Sequence, residues 1–310
     1  MRFARFRSGL AETFHDVAGI ALDSDGTVVF ASGDVTTPLY YRSAIKPFQA
    51  LAAARAGLKL PDEHLAVTCA SHGGYPVHLA IVERILNDHG LTTDDLRCPP
   101  DFPLSPGASR VQAATGHSTK QRIFHNCSGK HAGWLAACTV AGWDTSTYLD
   151  PDHPLQQSVA AIVGELTGVN PLPTGIDGCG APTLRGTIEG LARGFLRLGT
   201  DEELSPIATA MSRFGALVSD NLRGSGRIGV TLTGPSKVGA EGLFALCGPE
   251  LSIAVKSTDG DETLACAAAL EIADRLGILP EASAQSLAGV RSPPQLGGGL
   301  PVGTLELVAV

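Results

Sequence analysis

The chain has no C-x-x-C pair, no long apolar run and no excess of positive charge. Each absence argues against a class of protein. Without C-x-x-C spacing, Cys69, Cys98, Cys127, Cys138, Cys179, Cys247 and Cys266 form an odd, scattered set. That is not a secreted disulfide scaffold, and it fits a reduced, cytoplasmic compartment. Apolar stretches break well short of the roughly 20 residues a membrane span requires. A formal net charge of −8 argues against nucleic acid as the main partner. The basic start, Met1 to Arg7, runs into acidic and polar residues where a secretory leader would need an apolar core. There is no internal repeat, and the 37 glycines and 20 prolines sit in short motifs.

What remains is a 310-residue chain of ordinary globular balance, 44% hydrophobic and 17% charged. Residues 17–22 and 27–31 flank Asp23-Ser24-Asp25-Gly26 and read as a β-hairpin. Pro47 fits the first turn of a helix running from about Ser43 to Gly57. Residues 65–70 read as a short buried strand ending at Ser71-His72-Gly73-Gly74. Helices are expected over 76–87, 130–141, 154–166, 183–197, 202–222 and 262–276. Strands are expected over 228–232, 243–247, 251–255 and 304–310, with 292–303 linker-like. Strands at both ends and helices between them give an α+β class. This is an antiparallel sheet flanked by helices, with a helical lobe inserted in the middle of a single domain over 1–310.

The chemistry begins at Arg42-Ser43-Ala44-Ile45-Lys46. A hydroxyl needs a base to become a nucleophile, and an uncharged lysine one helical turn away can serve. The same spacing runs the S-x-x-K hydrolases. The other reading is a capping serine with a solvated lysine. Arg42 adds a cation able to hold a carboxylate. Ser71 offers a second hydroxyl. Its two following glycines allow close backbone approach, as would any glycine-rich turn. Cys127 and Lys130 lie in His125-Asn126-Cys127-Ser128-Gly129-Lys130-His131, and Cys179 in Gly175-Ile176-Asp177-Gly178-Cys179-Gly180. Two thiolates and an amine could hold zinc, although lysine must first lose its proton. Two structural cysteines fit the same spacing. Asp177 is placed to take an α-ammonium group, or to close an Asx-turn. Lys256-Ser257-Thr258-Asp259-Gly260 follows a strand like the K-T-G element of penicillin-recognising enzymes, one residue longer. Ser219-Asp220-Asn221 spells S-D-N and reads as a chance match.

Taken in order, these motifs resemble the L-asparaginase II family, the zinc-containing thermolabile type. The series runs from Arg42-Ser43-x-x-Lys46-Pro47-Phe48-Gln49 and Ser71-His72-x-Gly74 with His78 to residues 125–133 and Asp152-His153-Pro154-x-Gln156. It continues through Gly175-x-Asp177-Gly178-Cys179-Gly180 and Lys237-x-Gly239-Ala240-Glu241-Gly242 to Lys256-x-x-Asp259-Gly260. The resemblance implies hydrolysis of L-asparagine to L-aspartate and ammonia on a fold like the serine β-lactamases and glutaminases. It implies two catalytic pairs, Ser43 with Lys46 and Ser71 with Lys256. It implies substrate contacts from Arg42, His72, Asp177, Gly178 and Glu241, and zinc on Cys127, Lys130 and Cys179. A homodimer is also implied. The chain departs from the family pattern at Cys98-Pro99-Pro100-Asp101 and at Ser225-Gly226-Arg227-Ile228-Gly229-Val230. Two other functions compete: a β-lactamase- or esterase-like hydrolase, and an inactive module that binds zinc and amino acids.

Overall fold

The computed structural model describes residues 1–116, 118–220, 223–248 and 250–310. Three strands come first: β1 (Arg2–Arg7), β2 (Leu10–Asp23) and β3 (Val28–Ser32). A two-residue strand, β4 (Leu39–Tyr40), precedes a 3₁₀ turn over Arg42–Ile45. Helices α1 (Lys46–Arg55), α2 (Asp62–Thr68), α3 (Pro76–Asn87), α4 (Pro106–Ala114), α5 (Ser128–Ala141) and α6 (Pro154–Thr167) follow. Short strands β5 (Gly175–Ile176), β6 (Pro182–Thr183) and β7 (Arg185–Gly186) lead to α7 (Ile188–Thr200), α8 (Ser205–Arg213), α9 (Gly215–Val218) and α10 (Gly224–Leu232). The chain then returns to the sheet with β8 (Ser236–Gly239), β9 (Leu243–Cys247) and β10 (Leu251–Ser257). It ends with α11 (Glu262–Arg275), α12 (Glu281–Arg291), β11 (Pro294–Gly297) and β12 (Leu300–Ala309).

The main sheet is antiparallel, in the order β11-β12-β1-β2-β10-β9-β8, with β3 also paired to β2. Side chains alternate across it, as the pleat demands. On β10, Ile253 and Val255 face Leu264, Ala268 and Ile272 of α11. Ala254 faces the core of the middle helices with Ile20, Leu22, Phe48 and Phe195. The sheet is therefore covered on both faces, and the candidate site lies where it meets the middle helices.

Four sequence expectations need correction. Residues 65–70 are not a strand: Asp62–Thr68 is helical, opened by two acidic residues in its first turn where the helix dipole favours them. Residues 228–232 close helix α10, not a strand. The linker-like stretch 292–303 holds β11 and a hairpin into β12. The expected long helix over 202–222 is broken into a 3₁₀ turn, α8 and α9, and its last two residues lie outside the described residues. The hairpin of β2 and β3 and the helices from 76, 130, 154 and 262 stand where the sequence put them.

Helix α5 packs on α2 through Gly129. A Cβ there would stand 2.4 Å from the Val67 carbonyl oxygen. Gly129→Ala should therefore destabilise the protein by about 2–3 kcal/mol, an overpacking penalty. Thermal unfolding checks this, and an unchanged Tm would mean the helices can separate at no cost.

Candidate active site

Pro47 sits at the start of α1, where its missing N–H costs nothing, and fixes Lys46 as the first helical residue. The Lys46 side chain is buried, 1% exposed. Its amine does not turn back to Ser43. It donates to the Ala70 carbonyl and lies 3.1 Å from Ser71 Oγ. A second amine, Lys237 Nζ from β8, lies 2.9 Å from the same hydroxyl and also donates to Val238 O at 2.9 Å. Ser71 thus stands between two lysines. The segment that carries it is tied on all sides: Ala70 N–H donates to Val67 O, Ser71 N–H to Val218 O and His72 N–H to Asn126 O.

This geometry alters both pairings expected from the sequence. Lys46 serves Ser71, and among the described residues the Ser43 hydroxyl has no hydrogen bond to it. Ser43, half-buried in the 3₁₀ turn, is bonded to Lys46 only through backbone, its carbonyl accepting the Lys46 N–H. The lysine paired with Ser71 from the sheet is Lys237, not Lys256. The Lys256 amine donates to the Ser257 carbonyl. Burial presses its pKa down, against the pull of Glu241 and Asp259. Lys237 was visible in the sequence: Lys237-Val238-Gly239 is a K-x-G on a strand, closer in spacing to K-T-G than the segment from Lys256.

Lys237 is fully buried. Desolvation, then the charges of Lys46 and Arg223, hold its pKa well below the usual lysine value, with Cys127 and Glu262 opposing. A lowered pKa makes the uncharged form, which can take a proton from the hydroxyl beside it, easier to reach. Strand β8 comes this close to the 3₁₀ turn because residue 239 is glycine, whose Cβ would meet Tyr41 O at 2.9 Å.

The two cysteine motifs also converge. Lys130 Nζ lies 3.2 Å from Cys179 Sγ and 4.3 Å from the centre of the Trp134 ring. The Cys179 thiol is pulled down to about 5 by its hydrogen bond with Cys127 and by the charge of Lys130. Burial opposes the charge on Lys130, but Cys179, Cys127 and Asp177 together hold its pKa above the ordinary value. Asp177 pairs with Arg42, Nε to Oδ1 at 2.7 Å. Burial opposes its charge, yet Lys130 and Arg42 keep its carboxyl low. Gly178 is exposed beside it, and its N–H donates to the same Oδ1. Arg42 and Glu241 both hold left-handed backbone, φ +49° and +62°. Such conformations cost a non-glycine residue energy and cluster at functional sites.

His72 is the expected substrate contact that the structure relocates. It is 0% exposed, its Nε2 lies 3.0 Å from Ser128 Oγ, and its ring stacks on His78. It lies in the interior. His153 and Gln156 of the sequence motif are also structural: His153 caps α6 and Gln156 Nε2 donates to Tyr148 O at 2.8 Å. Of the S-D-N triplet, Ser219 and Asp220 follow the Val218 carbonyl that holds Ser71, and Asp220 Oδ2 packs at Gly73. Asn221 lies outside the described residues.

A model of the family described as L-asparaginase II matches residues 4–307. The chain belongs to the L-asparaginase II family. No curated protein matches it. Among solved structures, a crystal structure of Mglu is 15% identical, covers 87% of this chain and 69% of that chain, and has a TM-score of 0.46. The glutamate form of Mglu is also 15% identical, with 88% and 64% covered and a TM-score of 0.46. No helix among the described residues is long and apolar enough to cross a membrane.

The buried histidines make an acid-stability prediction. His78 is pushed down to about 4 by burial, and His72 and His131 lie well below the usual 6.5. The folded state keeps them neutral while the unfolded chain takes up protons. Their contribution is therefore complete above pH 6.5 and lost as pH falls below it, for His78 over the window from 6.5 toward 4. His78 alone should account for roughly 3 kcal/mol over that window. Tm measured against pH should drop across it, and His78→Phe should flatten the slope. Equal slopes would mean that His78 takes its proton inside the fold.

Proposed function

We propose that this family member is an L-asparagine amidohydrolase with a serine–lysine centre, producing L-aspartate and ammonia. One observation carries the reading: two buried amines converge on the hydroxyl of Ser71. Lys237, uncharged, takes the Ser71 proton as the oxygen attacks the side-chain amide of asparagine. The C–N bond breaks, the proton leaves with ammonia, and a β-aspartyl ester remains on Ser71. Water, deprotonated by the same amine, hydrolyses the ester. Lys46 holds the hydroxyl from the opposite side and presses charge away from Lys237. The amides of Ser71 and His72 are already bonded. The oxyanion donors must then be other amides around the hydroxyl, and the Arg42–Ile45 turn is the proposed source. A donor of this kind is worth roughly 3–4 kcal/mol in other hydrolases. Ser43 lies at the same turn. Arg42, Asp177, Gly178 and Glu241 are the substrate-facing residues, and Lys256 supports Glu241.

Cys127, Lys130 and Cys179 fit zinc in part. One thiol is already acidic and an amine lies 3.2 Å from it, but Lys130 holds its proton and would have to release it. Among the described residues no group of three His, Cys, Asp or Glu could hold a metal, so the amine is indispensable to the set. Bound there, zinc would supply Lewis acidity beside Asp177. The homodimer belongs to the same proposal, and light scattering tests it.

Ammonia release from asparagine is the direct test. Ser71→Ala should lower kcat about 10³-fold or more, and Ser43→Ala about 10–100-fold. The acyl ester should be trapped on Ser71 by mass spectrometry, and an adduct on Ser43 would move the attack there. Because Lys237 must be uncharged, kcat/KM should rise with pH through its lowered pKa and then level off, and Lys237→Met should abolish both limb and turnover. Glutamine is one methylene longer and should lose about 1–3 kcal/mol in kcat/KM. Equal values for the two amides refute the preference. Cys179→Ser should lose stoichiometric zinc in metal analysis.

A further inference from the structure

His72 joins two parts of the candidate site that the sequence keeps apart. Its backbone N–H donates to Asn126 O at 3.2 Å. Ser128 Oγ donates its proton to Ile123 O at 2.8 Å, so it can only accept from His72 Nε2, 3.0 Å away. That network assigns the proton to Nε2 and leaves Nδ1 bare. The ring is fixed from one face by His78, 5.1 Å between centroids. Residue 71, next along the chain, is the hydroxyl held by two lysines. Ser128 stands beside Cys127 and two residues before Lys130. The turn at 127–130 has little freedom of its own, since Gly129 packs against Val67, at the end of the helix that leads into Ser71.

We propose that His72 is a positioning residue: with Ser128 it locks the Ser71 loop to the Cys127–Lys130 turn, so that the reacting hydroxyl and the thiol–amine cluster hold one shared geometry. The inference rests on the serine–lysine reading above. It differs from core filling, because a filler needs only volume, whereas this link needs one directed donor. Partners one shell outside a metal or reacting group typically change affinity or activity 10–100-fold when removed.

The test uses the full chain and the variants His72→Phe, His72→Gln, Ser128→Ala and His72→Phe with Ser128→Ala. Two readouts are taken: kcat and KM for asparagine, and the affinity for Zn²⁺ alone by chelator competition. His72→Phe should lower kcat about 30-fold with KM within about twofold, and weaken Zn²⁺ about tenfold. Ser128→Ala should do the same to a smaller extent. His72→Gln, which can still donate toward Ser128, should recover kcat to within about fivefold of the natural chain. The double variant should be no worse than His72→Phe alone, the mark of one shared contact. Additive losses, or a folded His72→Phe with normal kcat, would overturn the proposal. If His72→Phe does not fold, Ser128→Ala decides, since it removes one oxygen atom. If the natural chain releases no ammonia, the hydrolase reading fails, and the Zn²⁺ arm still tests the link: unchanged affinity across the set would sink it.

Discussion

Two buried lysine amines share one serine oxygen. Burying a cation is costly, and burying a second beside it more so. The fold resolves this by holding Lys237 far below its usual pKa, which brings its uncharged, basic form within easier reach. Nearly every other feature of the region serves that arrangement. Lys46 is anchored by the Ala70 carbonyl, Ser71 by Val218, and β8 is brought in by a glycine that has no side chain to hold it off. Such a site has a thermodynamic cost that the core must offset, and the two-faced packing of the sheet provides the surplus.

The charge pattern around the cysteines follows the opposite logic. There a lysine retains its proton because two thiols and Asp177 surround it. Asp177 in turn holds Arg42, whose strained backbone opens the turn leading into α1. Two buried lysines are thus shifted in opposite directions: burial and neighbouring cations lower Lys237, while thiols and a carboxylate raise Lys130.

Much of this was legible in the residues. The hairpin, most of the helices and the C-terminal strand follow from periodicity and turn chemistry, which are local. Residues 65–70 failed because a buried helix of seven residues has the same apolar run as a buried strand. Residues 228–232 failed because Val, Ile and Thr favour strands, while tertiary packing against α11 and α12 made them helical. In the site, the residue types were found but not all of the partnerships. Helical spacing placed Lys46 near Ser43, yet a long flexible side chain can pass its neighbour and reach a carbonyl from another segment. The choice between Lys237 and Lys256 depends on which strand lies at the sheet edge, and that is a property of topology. His72 was a substrate contact only through the family resemblance, and only burial reveals it as interior.

The partners of Ser71 are drawn from positions 46, 218 and 237, the last 166 residues away along the chain. The contact with Lys237 forms only when the sheet closes over the helices, because it spans a large stretch of polypeptide. A nascent or partly unfolded molecule therefore carries an ordinary alcohol and ordinary ammonium groups. Chemical competence arrives only with the finished tertiary structure, so immature chains are harmless to the amides around them.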